Sequence, residues 1–220
     1  MSRLAGLPDA GRSLQGTIDG AAGPIEVLVA APKEPPRGFA VLCHPHPLYG
    51  GAMSNKVVYT LASIALKCGL VAARFNFRGV GASGGAHDES RGETDDCVTV
   101  VEWVRGHVPD APLLLGGFSF GAFVSLKAAA RVRPKALMSV APPFGKYFGG
   151  EPAPPHPGCP WIAIHSRDDD VVSYDESARL LAAYDPPAEL VTVDGAGHFF
   201  HNRLADLQHA LVPFVARHFA

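Results

Sequence analysis

The chain has no Cys-x-x-Cys pair. Its four cysteines, Cys43, Cys68, Cys97 and Cys159, are scattered through the sequence. That spacing excludes zinc-ribbon and thioredoxin-like sites, and the apolar neighbours of each cysteine predict small packing residues in the core. No run approaches the ~18 consecutive apolar residues of a membrane span. The first twelve residues, MSRLAGLPDAGR, carry charge and a proline where a secretory signal needs an apolar stretch. A cytoplasmic protein with no membrane partner is therefore expected. Charge of one sign is scarce too. Nineteen basic side chains face 21 acidic ones, for a net charge of −2, so nothing electrostatic favours nucleic acid. No glycine-rich phosphate loop opens a helix, and no cofactor is expected.

What is present describes one globular domain spanning 1–220. A chain of 220 residues that is 47 % apolar and 18 % charged can bury one large core. One residue in five is glycine or proline (24 Gly, 20 Pro), which predicts many sharp turns. Segments 14–19 and 24–30 alternate like strands around a glycine turn and predict a hairpin. After it, short apolar runs alternate with segments of helical period. Strands are expected at 39–43, 70–77, 113–115, 136–140, 161–164 and 188–193. Helices are expected at 55–68, 94–107, 122–131, 174–184 and from about 202. Asp95 and Asp96 are placed in the first turn of the second helix, where they complement its dipole. Ser173 and Glu176 have capping-box spacing, and Pro213 predicts a kink or break in the last helix. Repeated β–α units imply a three-layer α/β/α sandwich around a mostly parallel, doubly wound sheet.

The pattern Gly-x-Ser-x-Gly occurs twice, at Gly117–Gly121 and at Gly81–Gly85. A nucleophilic serine needs a tight strand-to-helix turn that lifts its hydroxyl clear of the sheet. Ser119 has that context, between APLLLGG and AFVSLKAAAR. Ser83 follows a strand, but Gly84 and Gly85 are poor helix starters, which leaves it a structural turn role. A serine also needs a base, and the base needs an orienting group. Of ten histidines, His198 is the candidate, because it lies in a glycine loop directly after the last strand. His201 reads as the start of the final helix. The acid should follow the preceding strand, where Asp168, Asp169 and Asp170 stand together; Asp194 is a fourth candidate. Spacing alone does not separate them.

These residues resemble the α/β-hydrolase superfamily over nearly the whole chain, through the order Ser119, then Asp168–Asp170, then His198. Closest in look are small bacterial serine hydrolases of carboxylesterase or dienelactone-hydrolase type, with a His-Pro-His-Pro turn, here His44-Pro45-His46-Pro47. The Arg78-Gly79-Val80-Gly81-Ala82-Ser83 turn is similar as well. The resemblance implies an α/β-hydrolase fold and Asp169 as the acid, by aligning Ser166 with the glycine of a G-x-x-D-x-x-V turn. It also implies oxyanion-hole N–H groups from Phe120 and His46, with Leu48 as the fallback, since prolines have no N–H. The implied substrate is a small-molecule ester or thioester. Between Pro142 and Pro160, 11 of 19 residues are Gly or Pro. That stretch is too broken for a helical cap, so no cap domain is expected, and Phe144, Tyr147 and Phe148 are candidates for a substrate-binding wall.

Two other readings use the same residues. The fold could serve as a non-catalytic binding module, because fold alone does not fix function. His44 and His46 could instead serve a metal-dependent hydrolase, as an H-x-H pair suited to zinc or iron. No nearby carboxylate completes such a site, and no metal is expected.

Overall fold

The computed structural model describes residues 1–144 and 153–220. An antiparallel hairpin, β1 (Ser13–Gly20) and β2 (Gly23–Ala30), leads into β3 (Gly38–Cys43), α1 (Lys56–Lys67), β4 (Leu70–Phe75) and α2 (Arg91–His107). Then follow β5 (Leu113–Phe118), α3 (Phe120–Val132), β6 (Ala136–Val140), β7 (Trp161–Ser166), α4 (Tyr174–Ala182), β8 (Glu189–Val193) and α5 (Leu204–His218). The eight strands form one sheet in the order β1-β2-β4-β3-β5-β6-β7-β8, parallel from β4 to β8. This is the α/β-hydrolase architecture, without a cap among the described residues.

The inner strands are apolar on both faces because helices cover both. Phe39, Val41 and Cys43 of β3 face a core closed by α2 and α3, with Leu181 of α4. Ala40 and Leu42, between them, face the opposite core under α1 and α5. A shift of one residue in register would exchange the two sets. All four cysteines are free thiols. Cys43 and Cys97 are fully buried with their sulfurs 3.6 Å apart, and burial pushes the Cys43 thiol well above its usual range.

Three local expectations need correction. Strand β4 stops at Phe75: the Asn76 side chain bonds to the Glu26 carboxylate of β2, and the Phe77 N–H bonds to His44 in the turn after β3. Helix α2 begins at Arg91, so the acid in its first turn is Glu93. Asp96 instead grips the Arg78 guanidinium at 2.8 and 3.1 Å, and Asp95 pairs with Arg131 at 2.6 Å. Helix α5 starts at Leu204, after His201, and runs without a break through Pro213 to His218. The Ser173 cap is as expected: its hydroxyl accepts from the Glu176 N–H at 3.3 Å.

Candidate active site

The C-terminal ends of β3, β5, β7 and β8 converge on one cavity, where open parallel sheets generally place their ligands. Ser119 forms the bend between β5 and α3, with φ 52° and ψ −122°. Such a backbone costs a non-glycine residue roughly 1–3 kcal/mol and persists only where the surroundings impose it. The flanking glycines explain how. A Cβ on Gly117 would overlap the Gly121 carbonyl, and one on Gly121 would overlap the Cys43 and His44 carbonyls. Absence of both side chains lets the first turn of α3 press against the end of β3. Ser119 is thereby brought beside the His44–Pro47 turn.

His198 follows β8 in a loop where Gly195 and Gly197 adopt φ of 69° and 58°. Its Nε2 lies 3.1 Å from Ser119 Oγ, and its Nδ1 lies 2.8 Å from Asp169 Oδ2. A carboxylate can only accept, so Nδ1 carries the proton and Nε2 is the acceptor for the serine hydroxyl. Asp169 is buried at its side chain. Its Oδ1 accepts from the backbone N–H groups of Val171 at 2.9 Å and Val172 at 2.7 Å. Its Oδ2 takes a second imidazole, His165 Nε2, at 3.1 Å. Burial alone would raise this carboxyl, but the bonds from His165, His198 and Val172 outweigh it and hold the group well below the usual carboxylate range.

The neighbouring acids do different work. Asp168 Oδ1 accepts from the Ser166 hydroxyl at 2.7 Å and the Gly195 N–H at 2.8 Å. The Ser166 hydroxyl also accepts from the Ala196 N–H at 3.3 Å. Serine in place of glycine thus stitches the loop after β7 to the loop that carries His198. Asp170 is exposed. Asp194 points away and pairs with Arg167 at 3.2 Å. Ser83 is a buried turn brace: its hydroxyl donates to the Asn76 carbonyl at 2.7 Å and accepts from the Glu26 N–H at 2.9 Å.

In the His44–Pro47 turn, His44 is fully buried. Its Nε2 accepts from the Phe77 N–H at 3.0 Å, so Nδ1 carries the proton and donates to the Pro45 carbonyl at 2.6 Å. Burial pulls its pKa down to about 4, against the pull of the Pro45 bond. With both nitrogens engaged, His44 ties the turn to the end of β4 and is not arranged with His46 as a metal pair. The Leu48 N–H is engaged by His46 Nδ1 at 3.3 Å. The His46 ring lies tilted against Phe120 at 4.8 Å and against His87 at 4.7 Å, and His87 Nδ1 meets the buried Glu93 carboxylate at 2.8 Å. Burial is the main cause that lowers the His46 pKa, followed by the charge of His87.

The cavity over Ser119 has a volume of about 370 Å³. His46, Tyr49, Phe120, Pro143, Val171 and Phe199 supply most of its wall, with Asn55 at the start of α1. The expected substrate wall needs correction. Phe144 is packed into the core under α3 and does not line the cavity; its neighbour Pro143 does. Tyr147 and Phe148 lie outside the described residues. Sequence reasoning missed Tyr49 and Phe199, exposed apolar rings at the cavity, and it missed His165, whose only signal was a position four residues before the acid.

The model of the X-Pro dipeptidyl-peptidase (S15) family matches residues 19–150 of the chain. The structure of XC6422 from Xanthomonas campestris, an α/β serine hydrolase without a lid, is 39% identical, with a TM-score of 0.87 over 97% of each chain. An α/β serine hydrolase homologue from Coxiella burnetii is also 39% identical, with a TM-score of 0.85 over 91% of this chain and 96% of that one. An uncharacterized protein of Rickettsia prowazekii (strain Madrid E) is 34% identical over 206 residues, covering 88% of this chain and 85% of its own.

Proposed function

Because the chain belongs to the S15 family of α/β hydrolases, we propose that it is a serine hydrolase of small carboxylic esters or thioesters, working through Ser119, His198 and Asp169. The observation that carries this reading is the hydrogen-bonded series from Ser119 Oγ through His198 to Asp169 at the floor of the cavity. His198 Nε2 takes the hydroxyl proton as Oγ attacks the carbonyl carbon, and the imidazolium that forms is stabilised by the buried Asp169 carboxylate. The tetrahedral intermediate then collapses, His198 returns the proton to the leaving alcohol or thiol, and an acyl-enzyme remains. Water attacks the acyl-enzyme by the same proton route and frees the acid.

Negative charge on the carbonyl oxygen needs fixed N–H donors. Phe120, the residue after the nucleophile, and His46 fill this role in the proposal. Leu48 is the weaker candidate, because its N–H is already engaged by His46. The engaged nitrogens of His44 support a bracing role over metal binding.

The cavity wall is chiefly aromatic and aliphatic, which suits an uncharged acyl group. A volume of about 370 Å³ has room for a compact acyl group. Turnover of p-nitrophenyl acetate that disappears in Ser119→Ala tests the proposal; turnover that persists in that variant refutes it.

A further inference from the structure

His165 stands at the fifth position of β7 with its side chain fully buried. Its Nε2 lies 3.1 Å from Asp169 Oδ2 and 3.2 Å from the Val172 carbonyl. Both partners can only accept, so Nε2 carries the proton and shares it between them. The other nitrogen, Nδ1, is buried with no hydrogen-bond partner among the described residues. A residue kept for packing alone could be leucine or phenylalanine, without an unsatisfied polar atom in the core. The ring also makes an edge contact with Tyr174 of α4, at 5.7 Å, and the Arg167 guanidinium lies over that tyrosine's ring, 4.9 Å from its centroid.

Asp169 therefore accepts four N–H donors in two pairs: the Val171 and Val172 N–H groups on Oδ1, and the two imidazoles on Oδ2. The first pair anchors one oxygen. Rotation about the Cβ–Cγ bond moves both oxygens together, so this pair resists from the Oδ1 side alone any swing of Oδ2 off the line to His198 Nδ1. His165 meets Oδ2 from a second direction and resists the same rotation from the other side. The Val172 carbonyl holds His165 itself, so the brace runs back into the segment that supplies the Oδ1 donors.

From this geometry we propose that His165 is a positioning residue for the hydrolytic reaction, fixing the Asp169 carboxylate so that Oδ2 stays aligned with His198. The inference rests on the reading of Ser119, His198 and Asp169 as the catalytic set. It makes the acid a carboxylate clamped between two imidazoles, of which only His198 moves a proton.

The test compares His165→Phe, which keeps a ring and loses the donor, with His165→Gln, whose amide nitrogen can reach the same oxygen. Both are assayed with p-nitrophenyl acetate beside Ser119→Ala and Asp169→Asn. Misplacement by about an ångström costs on the order of 10²-fold, so His165→Phe should lower kcat by about 10- to 100-fold with KM little changed. His165→Gln should recover most of that loss. In the Asp169→Asn background, His165→Phe should cost nothing further, because the group it positions is gone. Unchanged kcat in His165→Phe, equal impairment of the two variants, or full additivity with Asp169→Asn overturns the proposal. Turnover that survives in Ser119→Ala would instead overturn the reading beneath it. Should His165→Phe fail to fold, proton NMR of the unsubstituted protein decides. Besides the imidazole N–H signal lost in His198→Gln, a second hydrogen-bonded one that is lost in His165→Gln supports the clamp; no signal assignable to His165 refutes it.

Discussion

Replacing Asp169 by asparagine separates the roles of the three adjacent acids most sharply. All four N–H groups around this side chain point at oxygen: Val171 and Val172 at Oδ1, His165 and His198 at Oδ2. An amide has one oxygen. Turned toward the backbone pair, it satisfies both N–H groups, whose orientation is fixed, and presents its NH₂ to the imidazoles. His198 must then accept at Nδ1 and carry its proton on Nε2, facing Ser119 Oγ. In that tautomer it cannot take the serine proton. Loss of the correct tautomer lowers kcat by ~10⁴ in enzymes of this chemistry, which corresponds to ~5 kcal/mol of transition-state stabilisation. Asp168→Asn should cost little, because an amide oxygen can still accept from Ser166 and Gly195. Asp170→Asn, at an exposed position, should cost little too. Steady-state hydrolysis of p-nitrophenyl acetate, with thermal melts to confirm folding, reads all three. Equal losses at the three positions, or a loss below about tenfold in Asp169→Asn, would refute the tautomer argument.

Ser83→Ala should keep most of its turnover but melt earlier, since it strands the buried Glu26 N–H at a cost of about 1–3 kcal/mol; calorimetry and the ester assay together check this. His44 gives the fold a pH dependence. Its folded pKa of about 4 lies below the ordinary histidine value of 6.5, so the unfolded chain binds a proton first as pH falls. Its contribution is complete above about pH 6.5 and is lost between there and pH 4, a change of about 3 kcal/mol. Urea unfolding across that range should show the fall, and His44→Asn should flatten it. Short or compact acyl esters should be preferred over long-chain ones, with no rise in rate at a lipid interface; an acyl-length series with and without emulsion tests this.

Much of this was legible in the sequence because it depends on local chemistry. The strand–turn–helix context singled out Ser119, and the two glycines around it are explained by backbone contacts that leave no room for a Cβ. Short unbroken apolar runs marked the inner strands, and the loop glycines marked the place of His198. Less was legible where partners lie far apart in the chain. Nothing local shows that Asp96 binds Arg78 and not a helix dipole, or that α2 starts three residues before the expected position. Phe144 looked like a loop aromatic because its burial depends on packing against distant strands and helices. Tyr49 and Phe199 reach the cavity from opposite ends of the sequence, and His165 directly follows the strand expected at 161–164, whereas β7 runs on through Ser166 and buries its side chain.

The central claim is that Ser119 is a nucleophile activated by His198. A fluorophosphonate probe tests it directly, because phosphonylation needs an activated serine and leaves a stable adduct. After incubation of the folded protein, digestion and mass spectrometry should place the adduct on Ser119, and labelling should vanish in Ser119→Ala and fall strongly in His198→Gln. An adduct on Ser83, or no adduct on a folded protein, would contradict the account.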